Sequence, residues 1–432
     1  MTLAIPDSRG DALRVHERFV RSALFLACFL LVSLTTAPFP DLGNPKLLDP
    51  IGDGNRSGQI SVVVLTMTLG AFVLAKARWA IVRALTPILV LTLLWFAVTA
   101  FASAHSDLAL RRLVLATFTV VNAIAFLVLP TDREHFGRLL AVGALIVLAI
   151  SYLGVLLVPQ LSIHQASDVI ESALAGAWRG PFGHKNGAGA MMVVLILIGI
   201  FVARAVNLAT GLLIVLGAAF FLPFTTSKSP IGLLPFVLAL SFAVLWLRNA
   251  AAKYALVIGA VLIANILTVG TVAIAPVGKL ITGLMPDSSY TGRDEIWLFA
   301  IDHVLRRPIT GFGFQAFWGT GDLLFNWGVN ESWGMRASDA HNGYLNIAVM
   351  TGLVGLALTL AWVVLQPLAD LSDARREQFD PALTTLFTQI LIFGLLLSSV
   401  ESVLFSGGDT LWFMMVASII GLRLQRVSQL TR

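Results

Sequence analysis

The sequence predicts an all-α fold: a polytopic integral membrane protein of about twelve spanning helices. Three observations lead there. Of 432 residues, 57% are hydrophobic and only 12% are charged, where soluble chains carry about 25% charged residues. The mean hydropathy is +0.86. The apolar residues gather into stretches of about twenty, the length that crosses a bilayer. In hydrocarbon each backbone polar group must be paired within its own segment, which selects helices.

A polar tail, 1–19, carries Arg9, Arg14 and Arg18. The apolar run 20–36 lacks a small-residue cleavage site and reads as an uncleaved anchor rather than a signal peptide. Further spans are expected at 59–76, 82–103, 112–129, 137–158, 186–204, 207–224, 230–247 and 254–275, so that 20–275 is membrane with a basic loop at 159–185. The longest polar stretch, 276–340, forms a large loop. Spans at 342–366, 383–402 and 410–424 fill the last membrane block, 341–424, before a short tail, 425–432.

Short loops rich in Lys and Arg face the cytoplasm. Lys76, Arg78 and Arg83, then Arg133 and Arg138, Arg204, Arg248 and Lys253, Arg375 and Arg376, and Arg423, Arg426 and Arg432 fall on the side of the N-terminus. Both termini are therefore expected in the cytoplasm, and the loops near 37–58, 159–185 and 276–340 outside it, in the periplasm of a Gram-negative cell. Against that bias the outward pieces hold Arg179, Lys185, Lys228, Arg293, Arg306, Arg307 and Arg336. Cations kept there need another reason.

The net charge of +5 is not clustered into a basic stripe, which speaks against a nucleic-acid partner. Cys28 is the only cysteine, so neither an internal disulfide nor a cysteine metal cluster forms. No internal repeat is visible. A transporter would place charges mid-span, whereas here they collect at the outer mouths of spans.

Four clusters could carry chemistry. Trp178 to Asn186 brings Arg179, His184 and Lys185 to the start of a span, where the free N–H groups and Asn186 complete a candidate anion site; the alternative is a glycine-rich turn with interfacial cations. Thr225 to Pro230 sets Lys228 among hydroxyls, either as a phosphate-binding point charge or as an interfacial anchor. Around 289–307, Thr291 and Asp294 have capping-pair spacing, and Ile296, Phe299, Ala300 and Val304 predict an amphipathic helix over 293–307. Arg293 in its first turn opposes the helix dipole, a conflict that a nearby anion would remove; the alternative is a surface pair with Asp294 or Glu295.

The fourth cluster is His341-Asn342, followed by nine residues and then Gly352 and Gly355. Ser338 or Asp339 would cap the helix beginning there. That holds an imidazole at the mouth of a span, where it could take a hydroxyl proton at neutral pH; the alternative is a histidine bonded to backbone, with the glycines serving packing. Glu401, at the outer end of the span 383–402, is an acid at membrane depth and a candidate to pair with an outward arginine or to orient His341. Asp339 is a second candidate for that role.

In this order and placement the clusters resemble the O-antigen ligase and exopolysaccharide polymerase family. The features are Gly180 to Asn186, then Gly292, Arg293, Trp297, Pro308, Gly311 and Gly313, then His341, Asn342, Gly352 and Gly355. The resemblance covers about 180–355 and the outer spans by topology alone; Phe182 to Asn186 looks closer to the polymerases. It implies a GT-C-type glycosyltransferase of the bacterial inner membrane with a periplasmic active site, using neither nucleotide sugar nor metal nor other cofactor. The implied donor is a glycan on undecaprenyl pyrophosphate, the acceptor a glycan hydroxyl, and the further partners the bilayer and a chain-length regulator. Arg293, helped by Arg179, Lys185 and Lys228, would hold the pyrophosphate. His341 would hold or deprotonate the acceptor, Asn342 would position it, and His184, Asn186, Asp339 and Glu401 would support them. In-line attack would invert the anomeric carbon. Polymerase is the first expectation, a ligase acting on lipid A–core the alternative, and a transporter or a non-catalytic scaffold the more distant ones.

Overall fold

The computed structural model describes residues 8–34, 37–44, 56–169, 171–284, 292–320, 337–373 and 379–427. Among them there are helices and a single isolated bridge, Ile163 to Trp178, but no strand. Every apolar stretch in the sequence becomes a helix: α1 Ser8–Leu34, α2 Arg56–Lys76, α3 Arg78–Ala84, α4 Pro87–Phe101, α5 Ser106–Val128, α6 Arg133–Leu157, α7 Lys185–Ala205, α8 Leu208–Phe224, α9 Lys228–Trp246, α10 Ala250–Leu267, α11 Arg293–Arg306, α12 Gly343–Leu371, α13 Pro381–Leu397 and α14 Thr410–Val427.

The expected number of spans is corrected. Eight described helices are long and apolar enough to cross a membrane, nine if the bent pair α3–α4 is one span. That pair turns by 76°. Thr86 caps α4 and Pro87, lacking an N–H, begins it, so the sequence restarts a helix where an unbroken span was expected. Helices α8 and α13 have 17 residues each, roughly 25 Å against a hydrocarbon core of about 30 Å. Helix α1 carries Glu17, Arg18 and Arg21 in its middle. Helix α10 stops at Leu267 and not near 275; short helices Gly270–Ala273 and Ala275–Leu284 lead into the large loop.

Helices α7 and α8 form a tight antiparallel hairpin. A Cβ on Gly211 would stand 2.3 Å from the Ala203 backbone nitrogen, so the two backbones touch where only glycine fits. At the far end of the bundle the fully buried Asp370 binds Arg423 at 3.1 Å and Arg426 at 2.9 Å, tying α12 to α14.

Gly352 explains part of the His-Asn-to-glycine spacing. Its φ of 72° and ψ of 179° break α12 in a region open essentially to glycine alone. The turn Pro308–Gly313 docks at the break, backbone to backbone: Phe312 N–H donates to Val349 O at 3.0 Å, Gly313 N–H to Met350 O at 2.8 Å, and Leu353 N–H to Pro308 O at 2.7 Å. Trp95 donates to Thr351 O at 2.9 Å. Groups freed by the break are thus paired again, as they must be inside a membrane. A Cβ at 352 would stand 1.9 Å from Ile309 O. Gly352→Val is expected to lose the folded protein, because about 1–3 kcal/mol of backbone strain adds to that overlap; thermal unfolding in detergent checks this, and a wild-type Tm would contradict it.

Candidate functional site

One end of the bundle gathers the N-termini of α7, α9 and α12 and the C-termini of α10 and α13. Helix α13 ends at Leu397, so Glu401 lies in a turn beyond it rather than within a span. That turn is sewn to the start of α12: Gly343 N–H donates to Ser398 O at 2.7 Å and to Glu401 O at 3.1 Å.

The Glu401 carboxylate is the meeting point. Its Oε1 accepts from Arg293 Nη2 at 2.9 Å and from Asn186 Nδ2 at 2.9 Å. Its Oε2 stands 3.6 Å from His341 Nδ1, and Asp339 Oδ1 is 3.8 Å from the same nitrogen. Arg293 also donates to Val400 O. The anion foreseen beside Arg293 is thus Glu401, and it brings Arg293 and His341 into one cluster. Helix α11 presents Arg293 from its first residue; its buried face of Ile296, Trp297, Ala300, His303 and Val304 packs inward as the amphipathic pattern requires. Its N-cap is Gly292, with φ of 84°, and not the Thr291–Asp294 pair, whose Thr291 lies outside the described residues.

His341 sits at φ 46°, a strained conformation for a side chain with a Cβ. Two bonds hold the strained turn: His341 N–H to Asp339 Oδ1 at 2.7 Å, and Trp297 Nε1 to Ala340 O at 3.0 Å. The side chain is 32% exposed while Nδ1 is buried, so the open part of the ring lies away from the two carboxylates. Burial opposes charge on the imidazole and Arg293 adds to that, but Glu401 and Asp339 outweigh both and hold its pKa above the ordinary histidine value. On Glu401 burial acts to raise the pKa; His341 and Arg293 outweigh it and hold the carboxyl below its usual range.

Three consecutive residues open α7. His184 caps it, Nδ1 accepting from Asn186 N–H at 3.1 Å, and its Nε2 meets Glu171 Oε2 at 2.8 Å. Lys185 Nζ bonds the Thr226 hydroxyl at 3.1 Å and carbonyl at 3.3 Å. Asn186 bonds Glu401 and accepts from the Ser227 hydroxyl at 3.1 Å. Lys228, first residue of α9, is exposed and makes no hydrogen bond or ion pair among the described residues.

Two expectations are corrected. Arg179 is fully buried and donates to Phe182 O at 3.0 Å and Pro40 O at 2.7 Å, so it clamps its own loop to the segment 37–44 instead of offering its charge to a ligand. Asn342, also fully buried, is the cap of α12 in place of Ser338 or Asp339: its Oδ1 accepts from Leu345 N–H at 2.9 Å, and its Nδ2 donates to Asn265 Oδ1 at 3.0 Å and Ser399 O at 2.9 Å. With its amide occupied, it positions His341 from behind. Arg306 pairs with Asp302 at 2.6 Å, away from this cluster, and Arg336 lies outside the described residues.

Several residues escaped the sequence reading. His164 is buried, with Nδ1 3.0 Å from Asp168 Oδ2 and Nε2 accepting from Lys185 N–H at 3.3 Å. Burial, the largest influence, holds its pKa below the ordinary value although Asp168 opposes this. The i, i+4 His–Asp spacing was a usable signal, as was Asn265, a lone amide near the end of an apolar span. Among the described residues no three His, Cys, Asp or Glu side chains are grouped to hold a metal ion.

Beside Asn342 runs an apolar groove of about 740 Å³ between α10, α11 and α12, lined by Val261, Val304, Leu345, Leu356 and Val364, with Asn265 and Asn342 among its few polar members.

Residues 212–360 match the family model described as O-Antigen ligase. The chain is also similar to the exopolysaccharide production protein ExoQ of Rhizobium meliloti (strain 1021), with 30% identity over 147 residues, 34% of this chain and 34% of that protein. The family match includes Lys228, Arg293, Asp339, His341 and Asn342 but not the Arg179–Asn186 cluster or Glu401.

Arg293→Ala strands the Glu401 charge with fewer partners, and stability is expected to fall by on the order of 1–3 kcal/mol. Adding Glu401→Gln removes the stranded charge and should recover part of that loss. Chemical unfolding of both variants checks this; single losses that simply add would contradict it.

Proposed function

We propose that this chain, whose residues 212–360 belong to the O-antigen ligase family, is a polysaccharide polymerase. It transfers a glycan from an undecaprenyl pyrophosphate carrier to a sugar hydroxyl at the periplasmic face of the bacterial inner membrane. One observation carries the reading: Glu401 binds Arg293 and faces His341. A cation suited to a leaving phosphate and an imidazole suited to a hydroxyl proton thus share one carboxylate.

In this reaction the acceptor oxygen attacks the anomeric carbon and the bond from that carbon to the pyrophosphate oxygen breaks. Pyrophosphate departs on its lipid, and the hydroxyl proton passes to His341 Nε2. Glu401 and Asp339, both near Nδ1, keep the ring oriented and stabilise the imidazolium that forms. Arg293, Lys185 and Lys228 stabilise charge developing on the leaving group, together with the first-turn N–H groups of α9. A Cβ on Gly183 or Gly187 would meet nothing within 4 Å, which leaves open space on either side of Lys185 for a ligand. The groove beside Asn342 takes the first isoprene units of the carrier. In-line attack inverts the anomeric configuration.

The description of the matching family favours a second reading, a ligase that moves finished polymer to lipid A–core. The two are separated by the surface glycan of a deletion strain. Single repeat units mark a lost polymerase, full-length chains stranded on the carrier mark a lost ligase, and unchanged glycan contradicts both.

His341→Ala should abolish transfer while the protein still inserts. The wild-type rate should fall as pH falls through the raised imidazole pKa, because only the unprotonated ring takes a proton. Glu401→Gln removes the main raising influence, so the acid limb of kcat/KM should move to lower pH. A limb that stays in place, or activity in His341→Ala, would contradict the base.

A further inference from the structure

Beside the Glu401–His341 pair stands a second carboxylate–imidazole pair, Glu171 and His184. Because His184 Nδ1 accepts the Asn186 N–H, the neutral ring carries its proton on Nε2 and donates it to Glu171 Oε2 at 2.8 Å. The other oxygen, Oε1, has no hydrogen bond among the described residues, and the side chain is 46% exposed. Asn186 links the two pairs, since its backbone bonds His184 and its side chain bonds Glu401.

The pair is not needed to build its loop. His164 and Asp168 hold it from within, and His164 N–H and O bond Ala177 and Gly176 at 2.9 Å each. A part-exposed ion pair adds little to stability. The Glu171 carboxyl is held below its ordinary range by the bond from His184, which outweighs burial. Asn186 thus ties the His184–Glu171 pair to the carboxylate that faces His341. A carboxylate repels pyrophosphate, so the ligand group it suits is a neutral one that donates hydrogen bonds, such as a sugar hydroxyl.

We infer that Glu171 binds the acceptor sugar: Oε1 receives a hydroxyl of the ring on which His341 activates another, and His184 fixes the carboxylate in place. This rests on the reading of His341 as the acceptor-side base. Glu171 is then a specificity-determining residue, one that selects an acceptor with a free hydroxyl at the position it meets.

The test uses the full chain in lipid nanodiscs, with the lipid-linked repeat unit as donor and the free repeat-unit oligosaccharide as varied acceptor. Glu171→Gln keeps the bond from His184 through its carbonyl and turns an NH2 toward the position of Oε1, replacing an acceptor by a donor. Acceptor KM is expected to rise about tenfold or more, with donor KM and Tm unchanged. Glu171→Ala should give a comparable rise. Wild-type acceptor KM in both variants overturns the inference, as does a fall in kcat and Tm with both KM values unchanged, the pattern of a merely structural residue. If His341→Ala still transfers, the base reading fails and this inference with it. If His341→Ala is inactive and Glu171→Gln binds acceptor normally, only the role of Glu171 fails.

Discussion

The Glu401 carboxylate is the interaction on which the rest of this end of the molecule depends. It draws together three elements distant in sequence: Asn186 at the start of α7, Arg293 at the start of α11 and His341 before α12. A carboxylate at 20% exposure needs such company, because an unpaired charge there is costly. The same partners shape its neighbours. Arg293, which opposes the dipole of its own helix, gains its counter-ion, and His341 gains a carboxylate on its buried nitrogen.

Around that point the fold supplies rigidity from backbone contacts rather than long side chains. The break at Gly352 lets the Pro308–Gly313 turn dock into α12, which anchors the far end of α11, while Arg293 anchors its near end. Asn342 closes the first turn of α12 and grips Asn265 and Ser399 behind the strained His341. A strained backbone persists where its surroundings hold it from several sides. Here Trp297, Asp339 and Asn342 do so, and the outcome is an imidazole whose open edge points away from its carboxylates.

Most of the helical architecture was legible because apolar stretches of spanning length have few alternatives. The count was not. Hydropathy does not register that Thr86-Pro87 restarts a helix, or that the apolar stretches 207–224 and 383–402 shorten to helices of 17 residues each. Of the site, Arg293, His341 and Glu401 were legible as polar groups kept at the mouths of spans. Arg179 and Asn342 misled for one reason: sequence shows a polar group at the right place but not which carbonyls or amides already occupy it. Glu171 and His164 lay in the same loop as Arg179; Glu171 carried no motif, the His164–Asp168 spacing was the one signal there, and only the closing of that loop onto α7 brings both to the site.

The most direct measurement of the central claim is a cryo-EM map of the protein in nanodiscs with undecaprenyl pyrophosphate. The account predicts pyrophosphate density among Lys185, Lys228 and Arg293, on the side of Glu401 that leaves His341 open to an acceptor, with the lipid chain entering the groove lined by Val261 and Leu356. Density bound away from Arg293, or covering His341, would contradict it.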